Sequence, residues 1–388
     1  MGDASSCPPL TRESVQAAHA AIKKHIHRTP TITCDTISLL ASTPQTSESL
    51  QGTPFAGRTP SSPRINLFFK CENYQKIGAF KARGAFHALS RLTQEELSKG
   101  VVTHSSGNHA QALALAARTH GIPAHIVMPT ISTPSKIAAT KGYGANVIFS
   151  GSTSDEREAV VADVIRDTGA ILVPPYDHPN IMLGQGTLAL ELEEQAKDLD
   201  ERGLDAVVAP CGGGGMLSGV ATALYGTGIR VFGSEPSFEG ADDAKRGVES
   251  GTRVEKVKTL TIADGLRTPL GKIPWTIISD KEKVKGMYSV TEDQIKSAMR
   301  LLLERAKVFV EPSAAVPLAV VLYDEDFRSM VEKEGGEQGW NIGIVLSGGN
   351  TTVEAIAKLF EPASEQQAER QASKLGMNGE RVAENVAG

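Results

Sequence analysis

Between residues 101 and 210, short strand-like runs rich in β-branched residues alternate with stretches whose apolar residues recur at helical spacing. Runs at 101–105, 124–128, 146–149 and 171–173 predict strands, and 108–120, 134–141, 155–168 and 182–196 predict helices. Further strand-like runs at 206–209, 230–233, 308–310 and 342–346 are each followed by a helical pattern. Near the start, Val15, Ala18, Ile22 and Ile26 share one face of a helix over 12–27, closed by Arg28, Thr29 and Pro30. This alternation implies parallel sheets covered on both faces, with more units than one sheet holds, and so two α/β domains. From 42 to 64 the composition turns to Ser, Thr, Pro and Gly, which predicts a mobile surface insertion with little to bury. From 361 onward the chain is polar and charged, an expected exposed helix followed by disorder.

Composition narrows the class. The 388 residues are 40% hydrophobic and 22% charged, ordinary for a soluble domain pair, and the net charge of −5 offers no footprint for nucleic acid or an anionic membrane. No apolar run approaches the ~18 residues of a membrane span; the longest, at 314–323, is broken by Pro317. The first residues lack the basic-then-apolar order of a secretory signal, and the myristoylation-like pattern at Gly2 has no basic support. Cys7, Cys34, Cys71 and Cys211 lie far apart without a C-x-x-C pair, which argues against a disulfide scaffold or zinc ribbon and for a reducing, cytoplasmic setting.

The chemistry gathers where strands end, since ligands in open α/β sheets bind beyond the carboxyl ends of the strands. In NLFFKCENYQKIGAFKARGAFHAL (66–89), Lys81 stands where an extended run becomes a helix, among apolar and small neighbours. Burial there disfavours the ammonium form, as a Schiff-base lysine requires. Ser105, Ser106, Gly107, Asn108 and His109 follow the 101–105 run; Asn108 is a candidate helix cap, and a serine nucleophile with His109 as base is the hydrolase alternative, although G-x-S-x-G is absent. Gly212, Gly213, Gly214 and Gly215, then Met216, follow 206–209 and lead into a helix: a phosphate cradle of converging N–H groups. Leu217 and Ser218 fall where G-x-G-x-x-G would need a third glycine, and no Walker A motif occurs. Ser347, after 342–346, presents a neutral hydroxyl. Glu235 with Asp242 and Asp243 reads either as a Mg²⁺ or Ca²⁺ site or as a solvated acidic turn, and the nine histidines show no zinc-type spacing.

A phosphate cradle, a desolvated lysine and polar loops at further strand ends suggest pyridoxal phosphate. Glu72 to Gln75 with Gly78 to Ala85, the SSGNH loop, Gly184-Gln185-Gly186-Thr187, the glycine loop and Ser347-Gly348-Gly349-Asn350 occur in one order. In this the chain, over roughly 12–360, resembles the fold-type II pyridoxal-phosphate enzymes, nearest the serine racemases and serine/threonine dehydratases. The resemblance implies a tryptophan synthase β-like α/β architecture: a large domain of 1–92 and 179–388, a small domain of 93–178, twisted parallel sheets, and the cofactor in the cleft between them. It implies Lys81 as the Schiff-base lysine and base, Phe80 beside the ring, and Asn108 on the 3′-oxygen. The phosphate falls to Gly212, Gly213, Gly214, Gly215 and Met216, and the pyridine nitrogen to Ser347. It implies that Ser105, Ser106, Gly107, Asn108 and His109 receive the substrate carboxylate, with Ser106 as the acid/base opposite Lys81. Glu235, the Ala241 carbonyl and Asp243 resemble the divalent-cation site, although Glu235 lies two residues farther from the Asp pair than in animal racemases. The expectation is a homodimer acting on a small amino acid such as serine by racemisation and β-elimination. A dehydratase without racemase activity, acting on threonine, serine or 3-hydroxyaspartate, is the alternative, and a β-replacement synthase a further one.

Overall fold

The computed structural model describes residues 7–361 apart from Ser106 and Ser152; the pattern at Gly2, the racemase candidate Ser106 and the tail beyond 361 lie outside the described residues. Two sheets form. β1 (Thr31–Thr33), β2 (Ile65–Cys71), β7 (Ala206–Pro210), β8 (Arg230–Pro236), β9 (Gly286–Val290) and β10 (Trp340–Leu346) make a six-stranded sheet in the order β1-β2-β10-β7-β8-β9. Only the β1–β2 pair is antiparallel. β3 (Val101–His104), β4 (Ala124–Pro129), β5 (Asn146–Ser150) and β6 (Ile171–Leu172) make an all-parallel sheet in the order β5-β4-β3-β6. β7 and β10 are buried at every position, as parallel strands with helices on both faces must be.

Helices Lys81–Ser90, Pro179–Leu199 and Gly215–Leu224 meet at unusually small residues. A Cβ on Gly184 would lie 2.7 Å from the Gly84 Cα, and one on Gly219 would lie 2.2 Å from the Met182 carbonyl oxygen. Only glycine admits that approach. The apolar core beneath the small sheet runs without a break from Val101, Leu113 and Met128 into Phe86 and Leu89 of the helix Lys81–Ser90 and on to Ile22 and Ile181. Both sheets accordingly belong to one compact unit, Met1–Asn350, and a second begins at Thr351, its described part being the helix Val353–Phe360 capped by Thr352.

Three expectations change. Residues 308–310 form no strand; Val308 and Val310 are buried in the connection leading to the helix Pro312–Tyr323. β1 and β9 were not anticipated, because three residues (Thr-Ile-Thr) and the mixed run Gly-Met-Tyr-Ser-Val carry little pattern of their own. The 42–64 insertion does bury groups. Leu50 and Phe55 are in the core, and the fully buried Arg328 donates to the carbonyls of Ala41, Thr43 and Ser61 at 2.6, 2.7 and 3.1 Å. Glu325 accepts from the Ser61 N–H at 2.8 Å.

Candidate active site

Lys81 is the first residue of its helix, with Phe80 at the N-cap. The chain reaches it through Ile77 and Gly78, both with positive φ, and a bridge between Ala79 and Gly348 pins the turn to the loop after β10. The Phe80 N–H donates to the Ser347 carbonyl at 3.1 Å, so the lysine and the buried Ser347 are brought together by backbone pairing. Lys81 Nζ donates to the Pro175 carbonyl at 2.7 Å and sits 5.1 Å from the centre of the Phe80 ring. Burial pushes its amine down to about 8, against a pull in the other direction from the Glu311 carboxylate. A lysine of ordinary pKa has well under 1% free amine at neutral pH; this one has on the order of a tenth.

A carboxyl near Lys81 was not expected. Glu311 is buried, and burial, then the charge of Asp264, pushes it up to about 8. Its oxygens accept from Asn108 Nδ2 at 3.0 and 3.3 Å. Glu311 immediately follows the strand-like run 308–310, so the strand-end rule that selected the other loops would also have selected it.

Gly107, rather than Asn108, is the N-cap of the helix Asn108–His120, and Asn108 is its first residue. The Ser105 N–H donates to the Val127 carbonyl at 3.1 Å, and Ser105 Oγ accepts from the Gly107 N–H at 3.4 Å. His109 is buried, and its Nε2 lies 3.0 Å from the Val173 carbonyl. A carbonyl only accepts, so Nε2 carries the proton and the buried Nδ1, which has no partner, is a bare acceptor. Burial pushes the imidazole down to about 3. The neutral ring cannot donate to a carboxylate through Nδ1; with the Ser105 and Gly107 N–H groups engaged, the N–H groups of Asn108 and His109, at the helix N-terminus, are the backbone donors left among the described residues.

The glycine loop leaves the end of β7, and Gly214, with φ of 82°, is the N-cap of the helix Gly215–Leu224. The N–H groups of Gly212, Gly213 and Gly214 find no acceptor among the described residues. Consecutive unpaired donors at a helix N-terminus fit a phosphate. Tyr176 lies over this loop: a Cβ on Gly213 would be 2.3 Å from the Tyr176 ring. One segment thus holds Lys81 through Pro175 and covers the glycines through Tyr176, while Asp177 accepts from the N–H groups of Lys272 and Ile273 at 3.0 and 2.8 Å.

Glu235, at the end of β8, is fully buried; its oxygens accept from the N–H groups of Ala244 and Lys245 at 3.1 and 2.8 Å. Asp243 Oδ2 accepts from the Leu270 N–H at 2.9 Å, and its buried Oδ1 has no partner. Burial, then the neighbouring Asp243, raises Glu235 well above the usual range, and burial pushes Asp243 up to about 6. Ala241 is buried beside them. Among the described residues no three His, Cys, Asp or Glu side chains converge on one point; the expected cation set has only two, with a carbonyl.

Two covered parallel sheets, a desolvated lysine at a strand-to-helix turn and an unpaired glycine cradle define the class of pyridoxal-phosphate enzymes. The chain belongs to it: the family of pyridoxal-phosphate dependent enzymes matches residues 47–348, and the chain stands with the fold-type II group of serine racemases and hydroxy-amino-acid dehydratases. It is 43% identical over 350 residues to a serine racemase of Arabidopsis thaliana, covering 90% of this chain and 95% of that one. It is 41% identical over 297 residues to an L-threo-3-hydroxyaspartate ammonia-lyase of Saccharomyces cerevisiae, covering 76% and 86%. The crystal structure of the Dictyostelium discoideum serine racemase superposes with a TM-score of 0.75 at 39% identity, over 88% of this chain and 99% of that one.

Proposed function

We propose that the protein is a serine racemase that also eliminates the β-substituent of small β-hydroxy amino acids. The observation that carries this reading is the desolvated Lys81 amine, lowered to about 8, in a chain that also offers the unpaired glycine cradle and the Asn108 loop. Pyridoxal phosphate, when bound, supplies the electron sink that acidifies the substrate Cα–H. Lys81 binds the cofactor and moves the Cα proton on one face. The N–H groups of Gly212, Gly213, Gly214, Gly215 and Met216 hold the phosphate, and Ser347 meets the pyridine nitrogen with a neutral hydroxyl. Such a hydroxyl leaves the ring less protonated and favours elimination. The loop of Ser105, Gly107, Asn108 and His109 takes the substrate carboxylate, with the N–H groups of Asn108 and His109 at the helix N-terminus as its free backbone donors. Ser106 supplies the proton on the opposite face, which is what inversion requires. The ammonia-lyase relative supports the second reading, elimination without inversion. The two sheets support a division into a large domain, 1–92 with 179–388, and a small one, 93–178. A homodimer in the cytoplasm, with a Mg²⁺ or Ca²⁺ ion on Glu235, the Ala241 carbonyl and Asp243, completes the proposal; the unpartnered Asp243 Oδ1 supports the ion. Among the described residues no helix is long and apolar enough to cross a membrane.

The deciding experiment is chiral product analysis over serine, threonine and 3-hydroxyaspartate. D-serine and pyruvate from L-serine are expected. Lys81→Ala should lose the cofactor's visible absorbance and both activities. Ser106→Ala should lose racemisation by at least about tenfold while keeping elimination. Equal loss of both in Ser106→Ala would remove its assigned role, and 2-oxo acid without any D-enantiomer from the unaltered enzyme would establish the dehydratase reading instead.

A further inference from the structure

The polarity of a short hydrogen-bond chain dictates how Asn108 faces the cleft. It begins at Ile77, a β-branched residue with φ of 62°. Such residues hold that conformation only where their surroundings impose it. The Ile77 carbonyl accepts from Asn350 Nδ2 at 2.8 Å. Because a carbonyl cannot donate, the amide end of Asn350 must lie there. The second hydrogen of the same Nδ2 goes to Asn108 Oδ1 at 2.7 Å. With Oδ1 engaged, Asn108 turns its Nδ2 to Glu311. Glu311 Oε2 also accepts the backbone N–H of Asn350 at 3.2 Å, and the Glu311 N–H donates to the Gly348 carbonyl at 3.0 Å. The chain, begun at Ile77, therefore closes on the 348–350 loop that supplies Asn350.

One hydrogen remains. The two oxygens of Glu311 subtend too small an angle at Asn108 Nδ2 to engage both of its hydrogens, so the second N–H has no acceptor among the described residues. We infer that Asn350 and Glu311 are positioning residues that hold Asn108 as a hydrogen-bond donor, fitted to an anionic ring oxygen such as the 3′-oxygen of pyridoxal phosphate. This rests on the pyridoxal-phosphate reading of the site. Without the relay the Asn108 amide is free to flip, and its Oδ1 would face that oxygen with like polarity.

Asn350→Asp tests it with little change in shape. The new carboxylate faces the Ile77 carbonyl and Asn108 Oδ1 as a second acceptor, which drives the Asn108 amide to flip. Three quantities are read on purified protein: the dissociation constant of pyridoxal phosphate by absorbance titration, the absorption maximum of the bound cofactor, and the melting temperature of the apo form. Asn350→Asp should weaken cofactor binding about tenfold or more and shift the maximum. Glu311→Gln keeps a carbonyl for Asn108 Nδ2, so it should lower stability yet retain the maximum. A purely structural role would lower the melting temperature in both and shift the maximum in neither, which overturns the relay. If Asn350→Asp fails to fold, Asn350→Ala decides: a wild-type affinity and maximum overturn the relay, and loss of affinity supports it. An unaltered protein that takes up no pyridoxal phosphate overturns the cofactor reading and the relay together; one that loads normally while Asn350→Asp loads identically overturns the relay alone.

Discussion

Asp243 keeps a buried carboxylate oxygen, Oδ1, to which none of the described residues donates, and an unpaired buried charge is among the costlier things a fold contains. Its carboxyl titrates at about 6 in the native chain, against about 3.9 in an unfolded one. The native state therefore binds more protons between those values, and stability falls as pH rises through that window. A divalent cation on Glu235, the Ala241 carbonyl and Asp243 would offset this charge only where it is ionised. Added Mg²⁺ or Ca²⁺ should raise the melting temperature by about 2–6 °C near pH 7.5 and by little near pH 5. Asp243→Asn should erase the increment. A melting temperature indifferent to both ions and to a chelator at the higher pH would remove the cation from the site.

The helix that begins at Lys81 is held in place by a buried ionic cluster two residues further on. Arg83 Nε and Nη2 each donate to Glu72 at 2.8 Å, and Nη1 and Nη2 each donate to Glu191 at 2.8 Å. Lys70 Nζ donates to Glu191 at 2.7 Å and to the Thr29 carbonyl at 2.7 Å. The cluster thereby joins β2, the helix Lys81–Ser90 and the helix Pro179–Leu199. Burial alone would raise Glu191, yet hydrogen bonds from His19 and Arg83 hold it well below the usual carboxylate range. Removing one member strands the others as buried charges, which typically costs ~3–5 kcal/mol. Arg83→Leu should therefore lower the unfolding free energy by about that much in urea titration. A loss below about 1 kcal/mol would mean the cluster contributes no more than a surface pair does.

At the scale of the whole molecule, an ionic contact joins the two sheet systems. Lys136, on the helix Pro134–Gly142 beside the small sheet, pairs at 2.8 Å with Asp264, in the turn Asp264–Leu266 beside the large one. Both side chains are partly exposed, so the pair contributes ~0.2–1 kcal/mol and is screened by salt. If it biases the lobes toward closure, Asp264→Asn should raise KM about two- to fivefold with little change in kcat. The salt dependence of KM in the unaltered enzyme should vanish in the variant. Unchanged KM and an unchanged salt response would make the pair incidental.

Local pattern picked out the strand-end turns that carry Lys81, the glycine loop, the Asn108 loop and Ser347 as candidates, along with most of the strands and helices around them. Helical and strand periods, and the need for glycine where backbone N–H groups converge, are properties of neighbouring residues along the chain. The antiparallel edge strand β1 escaped that reading because three residues hold no period. The burial of Glu311, the Pro175 carbonyl and the Arg83 cluster escaped it for a different reason. A buried carboxyl or guanidinium is defined by its partners, and for each of these one such partner stands more than a hundred positions away: Asn108 for Glu311, Glu191 for Arg83. Burial and charge pairing are three-dimensional quantities, so only the packed chain could turn a lysine near a helix start into an amine of about 8 and a glutamate before a proline into the anchor of Asn108.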